Sequence, residues 1–359
     1  MQYEMELGAA ELIEERRQQW HVLGITDAIM DSVGARVTDM WNSGSGCWAT
    51  EWSREAQRAA DEGNHALAVA LYGAAKFPVL GSPAHAEAYR AQVAEFLEHA
   101  PQTQDTVVFE RITLIADIGG MAVEVAAHAY GEPGLNADAP IVLVFSGVDT
   151  WKIEIDDVAR SAARIIGARV LTIDMPGTGE ALVANSMHGE RYVEAVLAAY
   201  REYWPAARKV AAFGFSFAGH WTIKLALMQR VDAAVSIGGM IDDALQEPNV
   251  RALRFGMKGI WGNSLRPEAP LDDETLVKEM AKFSLRSQGL LEDGAKSAPL
   301  LFINGDRDQH STPTDVDPLR SIPGATVRLI PEATHCAAEH LGTVIPEALL
   351  WLRRTLAGE

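Results

Sequence analysis

The stretch 209–227, KVAAFGFSFAGHWTIKLAL, restricts the possible folds more than any other part of the chain. Val210, Ala211, Ala212 and Phe213 read as a short buried strand. Trp221, Ile223, Leu225, Ala226 and Leu227 read as an apolar helix. Between them stand only Gly214, Phe215, Ser216, Phe217, Ala218 and Gly219, too few for a loop. The chain must therefore turn on Ser216 itself. In so tight a turn the residues two before and two after the serine nearly touch, so both must be small. Gly214 and Ala218 meet that condition, although glycine is the commoner residue at the second place. Strand, serine and helix in immediate succession are the setting of a nucleophile elbow. The plainer alternative is a tight turn whose serine only caps the helix.

On either side of this unit the texture differs. Residues 1–105 read as helical, with Leu12, Ile13, Trp20, Leu23 and Ile29 at near-helical spacing. Trp52, Ala56, Ala59 and Ala60 form one apolar stripe, and Ala66, Ala68, Leu71, Ala74 and Ala75 a second after Gly63 and Asn64, as in a helical hairpin. A last helix of this region is expected over 84–99. From residue 106 the pattern becomes a β-hairpin turning at Gly119 and Gly120, with Ala122, Glu124, Ala126 and His128 on one face. Strands then alternate with helices: strands at 141–145, 170–173, 210–213, 231–237, 299–303 and 327–330, and a closing helix over 344–356. Alternation fails over 240–298, which reads as an insertion. The expected layout is a helical region 1–105, a core in two parts, 106–239 and 299–359, and a helical insertion 240–298. Such alternation implies a mainly parallel sheet covered by helices on both faces, with ligands beyond the carboxyl ends of the strands.

Composition excludes several function classes. A formal net charge of -18 with no Lys/Arg cluster disfavours nucleic acid and anionic membrane surfaces as partners. Cys47 and Cys336, the two cysteines, offer neither a disulfide framework nor a metal-ligand spacing. The acidic, amphipathic start is not that of a signal peptide, and no apolar run reaches the ~18 residues of a membrane span. A cytoplasmic location is the expectation. No metal or cofactor is expected: the glycines of 174–180 follow a strand but lack the dinucleotide fingerprint.

A serine hydroxyl becomes a useful nucleophile when a histidine takes its proton and a carboxylate holds that histidine. On this architecture the chain order is serine, acid, histidine. Four histidines follow Ser216: His220, His310, His335 and His340. His220 sits along the elbow helix and points away. His335 lies just after the last strand, where a loop can hang it over the sheet edge. For the acid, the strand at 299–303 runs into Asn304-Gly305-Asp306-Arg307-Asp308. Both aspartates are candidates; Asp308 is preferred because Gly305 gives the turn room to aim it at the histidine, leaving Asp306 to the turn. Attack on a carbonyl also needs two N–H donors for the oxyanion. Phe217 N–H is one, and the loop Ser146-Gly147-Val148-Asp149 offers the other, with Gly147 allowing close approach and Val148 donating.

These segments resemble the α/β-hydrolases grouped with 2,6-dihydroxypseudooxynicotine hydrolase and the fermentation-respiration switch protein, to which fungal polyketide-shortening hydrolases are similar. The resemblance rests on Ser146 to Lys152 (SGVDTWK), Asp174 to Glu180 (DMPGTGE), Gly214-Phe215-Ser216-Phe217, Gly305 to Asp308 and Thr334-His335-Cys336, and covers about 107–359; Tyr72 to Val79 matches more weakly. It implies the α/β-hydrolase fold, a triad of Ser216, Asp308 and His335, and a cap formed by the N-terminal helices and the insertion. Ala218 and Val148 depart from that family's usual glycine and leucine. Asp149 and Lys152 belong to its signature, either as an ion pair bracing the loop or as substrate contacts.

The resemblance also implies hydrolysis, in some members of a carbon–carbon bond beside a ketone. A carbon leaving group needs a proton donor. Asp242, Asp243 and Glu247 are candidates, or else simply an acidic helix start. Trp41, Trp48, Trp52, Trp221 and Trp261 either line an aromatic pocket or fill core. The leading expectation is a cofactor-independent serine hydrolase that cuts an acyl–carbon bond in an aromatic or polyketide-like ketone. A carboxylesterase or thioesterase on the same residues is the alternative, and a non-catalytic binding protein a third. The expected partner is a small molecule, an aromatic ketone or ester, and the helical N-terminus leaves a homodimer open.

Overall fold

A computed structural model of the protein describes residues 7–102, 106–254, 256–269 and 271–359. The chain divides into two compact units, Met1–Gln104 with Leu253–Asp272, and Asp105–Ala252 with Asp273–Glu359. Of the segment 240–298 that the sequence sets apart, Leu253–Asp272 thus belongs to the first unit and the flanking parts to the second.

The first unit is helical: α1 Ala9–Val22, α2 Asp27–Gly34, α3 Trp48–Asp61, α4 His65–Lys76 and α5 Pro83–His99, joined by the later helix Met257–Ser264. Side-chain oxygens of Thr26, Asn64 and Ser82 accept the N-terminal N–H groups of Ile29, Leu67 and His85 and so start α2, α4 and α5. Gly63, at φ +77°, turns α3 into α4. Trp20, Trp48 and Trp52 pack ring to ring at 5.1 to 6.1 Å. Trp48 also donates its Nε1–H to Ala74 O at 2.9 Å. Trp48, Trp52 and Trp261 are fully buried, so these three fill the core of this unit.

The second unit is built on an eight-stranded sheet, β1 Val108–Ile118, β2 Met121–Gly131, β3 Ile141–Phe145, β4 Arg169–Ile173, β5 Val210–Phe215, β6 Ala233–Ile237, β7 Leu300–Gly305 and β8 Ala325–Ile330, in the order β1-β2-β4-β3-β5-β6-β7-β8. Strands β3 to β8 run parallel, and the β1–β2 hairpin joins antiparallel at the β4 edge. Every residue of β3, β4, β5 and β6 is buried, as the unbroken apolar runs require when helices cover both faces. β2 pairs with β4 only at His128 to Tyr130, so the face that carries Ala122 and Glu124 in the open has buried His128 at its far end. The helices are α6 Asp156–Ala162, α7 Glu190–Glu202, α8 Phe217–Leu227, α9 Glu247–Ala252, α10 Met257–Ser264 (already placed with the first unit), α11 Asp273–Ala281, α12 Pro313–Arg320 and α13 Leu341–Ala357. On one face of the sheet α6 and α13 bury Ala159, Ala162, Ala348, Leu349 and Leu352 against Val142, Val144, Phe213 and Val235. Each buried leucine there contributes on the order of 2 kcal/mol of transfer free energy, which fixes the strands whose carboxyl ends carry the polar residues described next.

Among the described residues no helix is long and apolar enough to cross a membrane.

Candidate active site

Ser216 links β5 to α8 with φ 50° and ψ -128°, a strained conformation for a residue with a side chain. Its N–H donates to Ile237 O at 2.7 Å, and its carbonyl accepts Gly219 N–H at 2.8 Å. A Cβ on Gly214 would come 2.5 Å from Ala218 O, so glycine is obligatory there, whereas position 218 has room for its methyl. This is why the departure at Ala218 leaves the turn intact.

The loops after β7 and β8 bring two further side chains to Ser216. With the Nδ1–H tautomer of His335, Ser216 Oγ–H donates to Nε2 at 3.0 Å and Nδ1–H donates to Asp308 Oδ2 at 2.7 Å. The preferred aspartate is thus the one in reach. Asp306 instead accepts the Glu332 N–H at 2.8 Å and ties the two loops together. Gly305 makes the approach possible: a Cβ there would lie 2.0 Å from Ala333 O. Burial alone would raise the Asp308 carboxyl, but the charge and hydrogen bond of His335, with help from His310 and Asn304, hold it down at about 2. Burial works against the His335 imidazolium, yet the Asp308 carboxylate overrides it and, with Cys336, raises the imidazole well above its ordinary value.

Asn304 and His310 complete the surroundings of Asp308, and sequence alone assigns neither a role. Asn304 donates to Asp308 Oδ2 at 2.7 Å and accepts Cys336 N–H at 3.0 Å. His310 N–H donates to Asp308 Oδ1 at 2.7 Å, and its ring stands edge-on to His335 at 5.1 Å. Their signal in the sequence was position alone: one precedes Gly305, the other follows Asp308.

Gly147, after β3, lies against the serine. A methyl there would come 2.9 Å from Ser216 Oγ and 3.3 Å from Phe217 N, so the loop carrying Val148 borders Ser216 and the start of α8. Val148 is buried, and its carbonyl accepts Trp151 Nε1–H at 3.1 Å. Lys152 is fully buried; its Nζ donates to Asp174 Oδ2 at 2.5 Å and pairs with Glu180 Oε2 at 2.7 Å. Asp174 also accepts the N–H groups of Lys152 and Glu180, and Arg111 grips Glu180 with two bonds. Burial pushes Glu180 up, but Arg111 and Lys152 bring it down to about 2. The signature segments 146–152 and 174–180 are therefore joined by a charge network, and Lys152 takes Asp174 and Glu180 as its ion-pair partners; Asp149 is buried on the same loop.

Asp242 and Trp221 are engaged elsewhere. Asp242 accepts Ser284 Oγ–H at 2.5 Å and Arg286 Nε–H at 2.7 Å, one on each carboxylate oxygen. Trp221 is fully buried behind the elbow, against Phe217, His220 and Phe283. His220 points away from the serine, with Nδ1 at 2.9 Å from Met240 O, and burial holds it down at about 3, neutral. A surface cavity of about 520 Å³ between Pro133, Leu135, Pro140 and Gly167 lies at the amino ends of β3 and β4, away from these residues.

A sheet of this order, with a serine on a strained turn after β5 linked to a histidine and an aspartate after β8 and β7, defines the α/β-hydrolase class, of the serine type. Within that class the chain belongs to the family described as FrsA-like: Esterase FrsA-like, which matches residues 24–328. It is 27% identical over 292 residues to "Esterase FrsA" of Klebsiella pneumoniae (strain 342), covering 72% of this chain and 64% of that protein. It is 27% identical over 266 residues to "Esterase FrsA" of Yersinia pestis (strain Pestoides F), covering 68% and 60%. The chain thus spans somewhat under two thirds of the length of these curated relatives. Among solved structures, "AbyA5 Wildtype" is similar with a TM-score of 0.77 at 22% identity, over 95% of this chain and 94% of that one. The 2,6-dihydroxy-pseudo-oxynicotine hydrolase is similar with a TM-score of 0.69 at 19% identity, over 95% and 96%. At such identities the likeness speaks to the fold alone.

Proposed function

We propose that this protein hydrolyses a carboxylic ester by way of an acyl-enzyme on Ser216. The observation that carries the reading is the unbroken hydrogen-bond chain from Ser216 Oγ through His335 to Asp308, at 3.0 and 2.7 Å. In this reading Ser216 Oγ attacks the carbonyl carbon as its proton passes to His335 Nε2. The N–H groups of Phe217 and Val148 receive the oxyanion. The acyl–oxygen bond then breaks, and the leaving alkoxide takes the proton from His335. Water repeats the sequence and frees the acid and Ser216. Asp308 holds the Nδ1–H tautomer and stabilises the imidazolium. No metal or cofactor enters any of these steps.

Two considerations favour an ester over a carbon–carbon bond. The curated relatives are named esterases. A carbon leaving group needs a proton donor of its own, and of the three carboxyls that sequence puts forward Asp242 is ion-paired with Arg286, Asp243 accepts Thr314 Oγ1–H and Glu247 is ion-paired with Arg251. Acyl–carbon cleavage of an aromatic ketone, the leading expectation from sequence, is the second reading and an outcome of the same experiment. A fluorophosphonate probe is expected to label Ser216, and a panel of aryl and alkyl esters to be turned over faster than acyl-phenols and β-diketones. Turnover of the ketones alone moves the assignment to carbon–carbon hydrolysis. Failure to label Ser216 in folded protein overturns the enzyme reading in favour of a binding protein.

A further inference from the structure

The helical unit holds a cluster that the hydrolytic site does not use. His65 opens α4, and Glu95 and His99 stand one turn apart at the end of α5. His65 Nδ1 lies 2.7 Å from Glu95 Oε1, and His99 Nε2 lies 3.4 Å from the same oxygen. The two imidazoles stack at 3.4 Å between centroids, 13° from parallel. One donor atom from each residue falls within 4.8 Å of the others. Among the described residues, exposed carboxylates on helices commonly meet an arginine or lysine, as Glu87 does with Arg90 and Glu247 with Arg251. Among the described residues, the side chains that bond or pair with Glu95 are these two histidines. Two nitrogens and one carboxylate oxygen, gathered from two packed helices without a competing cation, are a ligand set for a borderline divalent metal.

We propose that His65, Glu95 and His99 bind a zinc-type divalent ion, with water completing a four-coordinate shell. Bonds of about 2.0–2.1 Å in a tetrahedron set neighbouring donors roughly 3.3 Å apart; the His99–Glu95 separation of 3.4 Å matches this, and the hydrogen-bonded His65–Glu95 pair, at 2.7 Å, must open to admit the ion. The parallel rings must tilt for both lone pairs to meet one ion. Their side chains are 37% and 23% exposed, so rotation about Cβ–Cγ is open to them and the ion can enter from solvent. The bound ion pins the start of α4 to the end of α5.

Untagged full-length protein is titrated with Zn(II) by calorimetry and with Co(II) by absorption. The expected result is one-to-one uptake and tetrahedral Co(II) bands, with affinity falling at least about tenfold in His65→Ala, Glu95→Gln and His99→Ala. His188→Ala, an exposed histidine of the other unit, serves as control and is expected to bind as the parent does. Zn(II) is also expected to raise the thermal midpoint of the parent but not of Glu95→Gln. Absence of one-to-one uptake by the parent, or uptake that survives all three substitutions in folded protein, overturns the site and leaves a hydrogen-bonded clamp.

Discussion

Asn304 donates its side-chain amide to Asp308 Oδ2, the same oxygen that accepts His335 Nδ1–H. Its own oxygen accepts the N–H of Cys336, next in the chain to His335. One side chain thus sets the distance between the acid and the loop that carries the base. Cys336 and Ala337 hold φ values of 59° and 50°, a strained path that needs such an anchor. Replacing Asn304 by leucine removes a hydrogen bond to a charged group, worth roughly 1.5–3 kcal/mol. If that loss appears in the transition state, kcat falls about 10- to 100-fold with KM little changed. Steady-state kinetics on an ester, normalised to the fraction of Ser216 that a fluorophosphonate labels, measures it; an unchanged kcat would refute the clamp.

Gly147 tests the proposed oxyanion loop separately from the proposed triad. An alanine methyl at this position would meet the side chain and first amide of the elbow rather than the body of the fold. Gly147→Ala should therefore melt within a few degrees of the parent yet lose about 10²–10³ in kcat, the usual size of a lost oxyanion donor. Circular dichroism melts beside kcat decide it. A large fall in stability with kcat retained by the folded fraction would show that the loop lies elsewhere.

Lys152 is charged, fully buried and held by two carboxylates, so its removal strands Asp174 in the interior, while Glu180 keeps Arg111. Lys152→Met is expected to cost roughly 3–5 kcal/mol of stability, visible as a lower urea midpoint at unchanged slope. Adding Asp174→Asn should recover part of the loss, because an amide carries no stranded charge. A single variant as stable as the parent would mean that the network contributes nothing.

Much of this architecture could be read in the chain because it follows from local pattern. Apolar runs such as Ile141–Phe145 identify strands buried on both faces, and Gly214 and Gly305 mark where backbones must pass closely. Strand ends of a parallel sheet share one edge, so the sequence alone places Ser216, Asp308 and His335 near one another. Pairings between distant segments were less legible. Lys152 and Asp174 stand 22 residues apart, and nothing in either segment says that the lysine crosses to the other loop instead of meeting Asp149. Trp221 has the composition of a pocket wall, but its ring is sealed in by Gly189 and Phe283, contacts that only packing reveals. Sequence leaves Asp242 as either a proton donor or part of an acidic helix start, because Arg286, its counter-ion, is 44 residues away in a stretch without regular pattern.

The electrostatics of His335 and Asp308 predict where pH acts. His335 must be neutral to accept the serine proton, and the Asp308 carboxylate raises its pKa above the ordinary value of about 6.5. The acid limb of kcat/KM should then fall above pH 6.5, with activity dropping as pH decreases through it. Asp308→Asn removes the raising charge, so the limb should shift to lower pH while kcat falls by roughly 10⁴ through loss of the tautomer. Stability follows the opposite sense for the base. The raised imidazole adds stability that is complete below its unfolded pKa and is lost as pH rises through the folded value. Asp308, held at about 2, adds stability that is present above the unfolded carboxyl value and is lost as pH falls toward 2. The pair is therefore most stabilising in mildly acid solution, where the enzyme is least active. A pH series of kcat/KM beside urea midpoints, for parent and Asp308→Asn, resolves both trends; an acid limb at or below 6.5 in the parent would show that the carboxylate does not govern the base.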